Sequence, residues 1–576
     1  MTAMTADEAM ALVIREDAIG QLRRREGAMA RLGSESGALK LDWVEMVSWL
    51  LAHPETLESV ECEAAAMIAR GVRRLIWAGM GGSVLSVRAM RALEFGGGLV
   101  PVDVLDSTDP AALNAVTDDL TDIEDTVMIA VALGMTSEEP ISHLDWFAGA
   151  LRSAGMDSRR HQIVMALPGS YLDRYARDNG LPRWSLQLDG GSGTGGRMSA
   201  PGTRVFLTPA ALYLAGQGHK PGALGALLRR AWEAYDLDGA QADPASSQWA
   251  RLATMLAERA QDGAVRLSME TPPGWETLRD WAEQLMEESL GKGGKGAIVF
   301  APEALPVDAP ASLRLRITGD VTQGEATGGD EFTIVEPLIA SQDATQRLSG
   351  VAALYLGLQL TMALYGYLWD IPFASQPAVE AYKAGARALR DSAVADLARS
   401  MFDAALLHEG RLALIGPDGH ALWDGEAMPA SALARWLRGW RERQALAYLD
   451  VTINGETDAQ ALAALEASVR ELAIERLDMP YKLRRAPAAY HSTEQSEMDG
   501  PFGVISLRVL PLRHAAPRIG AYTARFLEAQ ALATWQAMNG QGRPCALAMY
   551  DGDTAEMLVA LRALLDEVAG DLRARR

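Results

Sequence analysis

Short apolar runs that alternate with helical patterns constrain this chain more than any other feature. Runs at 75–78, 100–105, 126–133, 162–166, 264–268, 297–300 and 313–317 read as strands, and so do later runs at 445–451, 504–510 and 546–550. Helical patterns separate most of them. A strand that returns through a helix lies parallel to its predecessor, so the alternation implies α/β architecture: doubly wound parallel sheets with helices on both faces. No repeat with a period of about 20–50 residues is visible, which argues against a solenoid.

The length of 576 residues suits two to four domains. Boundaries are expected near residues 70, 240 and 390. They give an N-terminal helical segment (1–70), a first α/β domain (71–240), a second (241–390) and a C-terminal α/β domain (391–576). The glycine-rich stretch 189–196 reads as a flexible loop, and Pro417-Asp418-Gly419 as the turn of a hairpin. Residues 351–369 are apolar enough to suggest a membrane span, but Gln359, Thr361 and two glycines interrupt them, and a buried core helix is expected. A formal charge of −21 argues against nucleic acid and anionic lipid as partners, so an anionic substrate needs a locally positive site. Cys62 and Cys545 are the only cysteines and lack metal-ligand spacing, so neither a disulfide framework nor a metal is expected. No signal peptide is read at the N-terminus, and the cytoplasm is the expected compartment.

The stretch WAGMGGSVLS (77–86) carries an apolar run through Gly79, Gly81, Gly82 and Ser83 into a helical pattern. A strand that enters a helix through glycines can surround a small anion with free N–H groups and the positive helix end, with a hydroxyl from Ser83. Such turns also serve packing alone.

Residues 77–113, in which the GMGGS turn is followed by a second strand ending in LDSTDP, resemble the opening of the phosphoglucose isomerase family. They are most similar to the isomerase half of bacterial transaldolase–phosphoglucose isomerase fusions, and only that half is expected here. GTGGRMS (193–199), QLMEESLGKGGKG (284–296) and IPFASQPAVEAYK (371–383) follow in the family's order, and AAYHSTEQSEMDGPFG (488–503) is similar to a motif near the fusion's end. The resemblance covers nearly the whole chain, thinly between 215 and 275. It implies two sugar-isomerase-type domains with the substrate between them, a third α/β domain, no cofactor and a homodimer.

The reaction implied is aldose–ketose isomerisation, most simply of glucose 6-phosphate to fructose 6-phosphate through a cis-enediolate. It needs one base to move a proton between C2 and C1 and a cation to hold the developing charge. Glu288 matches the family's base, four residues after Gln284 on one predicted helix face, although a solvated acidic face reads equally well from Glu283, Glu287 and Glu288 alone. Arg197 matches the arginine that holds the enediolate. Gln376 and Lys383 match the groups at the phosphate and the ring oxygen, and would share a face if their segment is helical. Gly81, Gly82, Ser83, Thr136 and Ser137 match the phosphate-binding turns. Two departures stand out: the family's serine and lysine before Thr136 are Ala132 and Leu133, and no histidine lies between Glu288 and Gln376, which leaves His491 as the ring-opening substitute. A sugar-phosphate-binding or regulatory protein without turnover, and an isomerase of a sugar with a different C6 group, remain alternatives.

Overall fold

The computed structural model describes residues 4–92, 102–118, 123–323, 327–419, 422, 428–444, 446–501 and 503–574. They form two compact units. The first holds 1–106, 118–299 and 311–375, and the second holds 107–117, 300–310 and 376–576. The expected boundaries at 70 and 240 both fall inside the first unit, the latter within the helix Leu237–Ala242.

Among the described residues, the first unit contains two five-stranded sheets and a small antiparallel pair, Ser34–Glu35 with Ala38–Leu39. In the first, β1 (Arg74–Ala78), β2 (Val102–Leu105), β3 (Thr126–Ala132), β4 (Gln162–Ala166) and β5 (Arg183–Ser185) run in the order β2-β1-β3-β4-β5, every pair parallel. Every residue of β3 is buried, as a central strand covered on both faces requires. The crossovers include α1 (Gly82–Ala92) and α2 (Glu139–Ser153). The second sheet has β6 (Ala264–Glu270), β7 (Gly296–Phe300), β8 (Ser312–Thr318), β9 (Thr327–Gly328) and β10 (Glu331–Val335) in the order β9-β10-β8-β6-β7. β8 is parallel to β6 and β10, and the short β9 pairs antiparallel with β10. α3 (Glu276–Leu290) connects β6 to β7.

One continuous apolar core joins both sheets, and α4 (Ala344–Trp369) runs through it. This helix is long and apolar enough to cross a membrane, yet its apolar window is wholly buried inside the protein. The residues that interrupt its apolar pattern find partners there. Gln359 Nε2 donates to the Ala200 carbonyl at 2.5 Å, Thr361 Oγ1 to that of Trp249 at 3.0 Å, and Tyr365 OH to that of Gly263 at 3.0 Å. Gly357 is needed for contact, since a Cβ there would stand 2.1 Å from the Trp249 ring.

The second unit opens with α5 (Pro377–Arg390) and carries one mixed sheet. Its strands are β11 (Leu407–Glu409), β12 (Leu412–Ile415), β13 (Tyr448–Asn454), β14 (Tyr481–Ala486), β15 (Val504–Pro511) and β16 (Cys545–Tyr550), in the order β11-β12-β16-β15-β13-β14. The four strands β16, β15, β13 and β14 are mutually parallel, whereas β12 is antiparallel to β16 and to β11. β11 and β12 form a hairpin that turns at Gly410, whose φ of +58° suits a residue without a side chain, and residues 417–419 form a single 3₁₀ turn. Much of the expected second arm, 420–421 and 423–427, lies outside the described residues.

One face of this sheet is apolar. Leu449, Val451 and Ile453 pack there with α6 (Pro429–Arg443), α7 (Ala459–Arg470) and the long α10 at the C-terminus (Thr554–Ala574). The other face alternates with it and is polar, although it is just as buried. Two neighbouring cross-strand rows, Lys482–Asp450–Ser506 and Arg484–Thr452–Arg508, stand side by side. The short α8 (Glu494–Asp499) brings Glu497 over them, and α9 (Arg525–Gly540) packs alongside. The result is a closed ring of alternating charge. Arg484 meets Asp450 at 3.0 Å and Glu497 at 2.5 Å, while Arg508 meets Asp450 at 3.4 Å and also bonds Glu497. Hydroxyls fill the remaining positions: Ser506 Oγ donates to Asp450 at 2.8 Å and Thr493 Oγ1 to Glu497 at 2.7 Å. Two cations balance two anions, so a charge on the buried Glu494 would be in excess of that balance. On β16, burial pushes the Cys545 thiol up to about 12.

Two tests follow from these cores. Gly357→Ala drives a methyl into the Trp249 ring and is expected to cost about 1–3 kcal/mol, measured as a fall in thermal midpoint. The second concerns pH. Burial opposes charge on Glu497, but Arg484 and Arg508 outweigh it and hold the carboxyl at about 2. Burial, and then the charge on Glu497, push the Glu494 carboxyl well above the usual carboxylate range. Unfolded glutamate titrates near about 4.3. The stability due to Glu497 is therefore present above that value and lost as pH falls toward about 2; that due to neutral Glu494 is present below it and lost as pH rises. Urea unfolding between pH 5 and pH 9 should show Glu494→Gln gaining on the parent by roughly 1.4 kcal/mol per pH unit until Glu494 itself ionises. Parallel curves would refute a neutral Glu494.

Candidate active site

The glycine turn follows β1 directly. Gly79 donates to the Leu105 carbonyl at 3.1 Å, and Gly81 takes a φ of +54°, so the backbone reverses tightly before α1. Ser83 is buried, and its hydroxyl closes the turn by donating to the Met80 carbonyl at 2.7 Å. The Ser83 carbonyl in turn accepts from Trp77 Nε1 at 2.7 Å. The hydroxyl expected to face an anion is thus directed into the turn. Gly82 has a different reason to lack a side chain: a Cβ there would stand 2.6 Å from the Gly196 carbonyl oxygen. The turn admits another piece of backbone, the one that carries Arg197.

Thr136 and Ser137 lie half-buried in the loop between β3 and α2. The Glu138 N–H beside them donates to the Glu139 carboxylate at 3.1 Å. At the start of that loop, Leu133 packs on Gly196, its Cβ 3.1 Å from where a Gly196 side chain would begin. In this protein an apolar contact fills the position of the family's lysine.

Arg197 sits in the 3₁₀ turn Gly196–Met198 and is 3% exposed, so each of its donors requires an acceptor. Nε donates to Ser289 Oγ at 2.7 Å, Nη1 to Glu288 Oε1 at 3.1 Å, and Nη2 to the carbonyls of Phe373 and Ala374, both at 2.7 Å. The other oxygen of Glu288 accepts from Gln284 Nε2 at 2.8 Å, so the spacing of four does place the two side chains together on α3. The alternative of a solvated acidic face does not hold, because Glu287 and Glu288 are both buried. Glu287 looks the other way and accepts the Val299 N–H of β7 at 2.9 Å. Lys292 completes the helix end: Nζ donates to the Glu288 carbonyl at 3.0 Å and to that of Ser289, where the helix dipole favours a cation.

Gly82, Arg197, Gln284 and Glu288 are therefore one constellation, with Ser289 and Lys292 as members that spacing alone does not reveal. The segment 189–196 is not loose as expected, since Asp189 accepts from both the Gly191 N–H and Gln187 Nε2 at 2.8 Å. Gln376, Lys383 and His491 belong to the second unit. Lys383 is half-buried on α5, but Gln376 precedes that helix with a φ of −147°, so the two do not stand two helical turns apart on one face. His491 ends the 3₁₀ turn Ala488–His491, half-buried, and the charge ring takes Thr493 and Glu497 from the same motif. Among the described residues, no three His, Cys, Asp or Glu side chains are grouped to hold a metal ion.

A carboxylate held between a guanidinium and an amide, out of bulk water, keeps unshared electron pairs with which to accept a proton. The guanidinium offers a fixed positive field beside it.

No family model matches the chain. It is 25% identical over 376 residues to a probable glucose-6-phosphate isomerase of Haloquadratum walsbyi, a match that covers 58% of this chain and 84% of that protein. A hypothetical protein of Thermus thermophilus superposes with a TM-score of 0.49 and 22% identity, covering 66% of this chain and 96% of that one. The crystal structure of a glucose-6-phosphate isomerase from Chlamydia trachomatis superposes with a TM-score of 0.52 and 16% identity over 65% of this chain and 83% of that chain. The fold is accordingly α/β, with sugar-isomerase-type domains and an additional α/β domain.

Proposed function

We propose that this protein is a phosphosugar aldose–ketose isomerase, with glucose 6-phosphate and fructose 6-phosphate as its first candidate pair. The observation that carries the reading is the buried Arg197–Glu288 pair, with Gln284 on the second carboxylate oxygen. Glu288 takes the C2 proton of the opened aldose and returns it to C1. As it does so its negative charge passes to the enediolate oxygen, and Arg197 remains beside one anion or the other. The total charge in a poorly solvated site stays constant through the step, which keeps the intermediate from the cost of an unpaired buried charge. The likeness to a probable glucose-6-phosphate isomerase supports the choice of substrate. The second reading, a sugar-phosphate-binding protein without turnover, is favoured by Leu133 and by the engaged hydroxyl of Ser83, which leave the anion turn with little charge of its own.

The test is a coupled assay with a panel of aldose and ketose phosphates, together with exchange of the C2 hydrogen with solvent deuterium. The parent protein should catalyse both. Glu288→Gln keeps the shape and removes the base, so both should fall by roughly 10²–10⁴-fold. Tight binding of a sugar phosphate with neither turnover nor exchange would favour the second reading, and unchanged turnover in Glu288→Gln would remove the base assignment.

A further inference from the structure

Residues 189–196 contain five glycines, the backbone least willing to hold one conformation, yet they present Arg197 to a single buried pose. Something outside the loop must order it. We infer that Asp42, in the N-terminal segment, is a positioning residue for Arg197, and this inference rests on the isomerase reading of Arg197 and Glu288.

Asp42 begins the 3₁₀ turn Asp42–Val44, anchored in the core by buried Trp43 and Val44. Its two oxygens have separate tasks. Oδ1 accepts from Arg25 Nη1 at 2.9 Å, a bond outside the loop. Oδ2 accepts from the loop twice, from the Gly193 N–H at 2.9 Å and from Gln187 Nε2 at 2.8 Å. The backbone reciprocates: the Asp42 N–H donates to the Gly193 carbonyl at 3.2 Å, and the adjacent Leu41 and Thr194 form a β-bridge.

The glycines are matched to this carboxylate. A Cβ at Gly193 would lie 2.4 Å from Asp42 Oδ2, and one at Gly191 would lie 2.9 Å from it and 2.5 Å from Gln187 Nε2. The loop is thus glycine-rich because it wraps an oxygen, and the oxygen in turn holds the loop. Three residues beyond the bridge at Thr194, Arg197 turns inward to Glu288. The pull on Arg197 comes through this backbone, since Asp42 touches neither Arg197 nor Glu288 in any of these contacts.

The consequence is testable in the full chain. Asp42→Ala removes the oxygen that accepts from Gly193 and Gln187, so the Arg197–Met198 bond should become open to trypsin, with cleavage there rising roughly tenfold or more in limited digestion. An interaction that matters in the transition state is lost with it, so kcat should fall by roughly tenfold with KM within about twofold. Asp42→Asn keeps an oxygen for the Gly193 N–H and should recover part of both. Arg25→Ala lowers stability through the same residue without touching the loop, and should leave kcat and Arg197 cleavage near the parent's values. Equal effects of Arg25→Ala and Asp42→Ala would overturn the inference and reduce Asp42 to a stabilising residue, as would unchanged cleavage at Arg197 in Asp42→Ala, or raised cleavage with unchanged kcat. A parent protein that turns over no sugar phosphate would sink the isomerase reading separately, and cleavage at Arg197 would still decide whether Asp42 fixes that side chain.

Discussion

Burying a guanidinium is the demand around which the candidate site is built. Arg197 cannot lose its charge, and so the chain must supply an acceptor for each direction in which it donates. Those acceptors come from helix α3 and from the carbonyls of Phe373 and Ala374, separated from Arg197 by as many as 177 residues. The demand reaches the backbone as well. Gly82 must lack a side chain for the turn that carries Arg197 to lie against the turn after β1, and Gly196 lies tight against Leu133. Glu288 is one of several groups placed to satisfy that cation.

The second unit answers the same problem differently. Arg508 is as deeply enclosed as Arg197 and Arg484 nearly so, but each shares two carboxylates, and the ring closes upon itself. A buried ring of this kind contributes less to stability than an apolar face of equal area would, because desolvation offsets most of the attraction. What it supplies is registry. Asp450, Arg484 and Arg508 belong to three adjacent strands, and a slip of one residue along any of them would leave a charge without its partner.

Much of this is legible in the chain. The seven strands expected in the first unit all have counterparts among the described residues; β3 and β7 read as continuous apolar runs because both their faces are buried, whereas β8 shows by alternation, and residues 100–101 of the second lie outside those described. Among those not foreseen, β10 does hold a buried apolar run, whereas others fail that test for physical reasons. β14, with the sequence YKLRRA, carries three cations in six residues and reads as surface until Asp450 and Glu497 arrive from elsewhere. β5 and β9 are too short for any periodicity to show. At the site, Gln284 and Glu288 are legible because one helix holds both. Asp42 is not, since the residues it meets lie about 150 positions downstream. Ser83 misleads in its direction, because a hydroxyl beside a glycine turn can serve the turn as easily as a ligand.

The central helix α4 bears on how the chain comes to be folded at all. Its polar groups bond to Ala200, Trp249 and Gly263, and its Gly357 takes the Trp249 ring, so every one of these partners is synthesised before it. On the ribosome the two sheets of the first unit would wait, with a vacant apolar channel between them, until Trp369 had emerged. This long apolar helix is then delivered after both sheets of its unit, which shortens the time it spends uncovered while lengthening the time its binding groove does. Protection of that groove, more than protection of the helix, is what nascent-chain chaperones would have to provide.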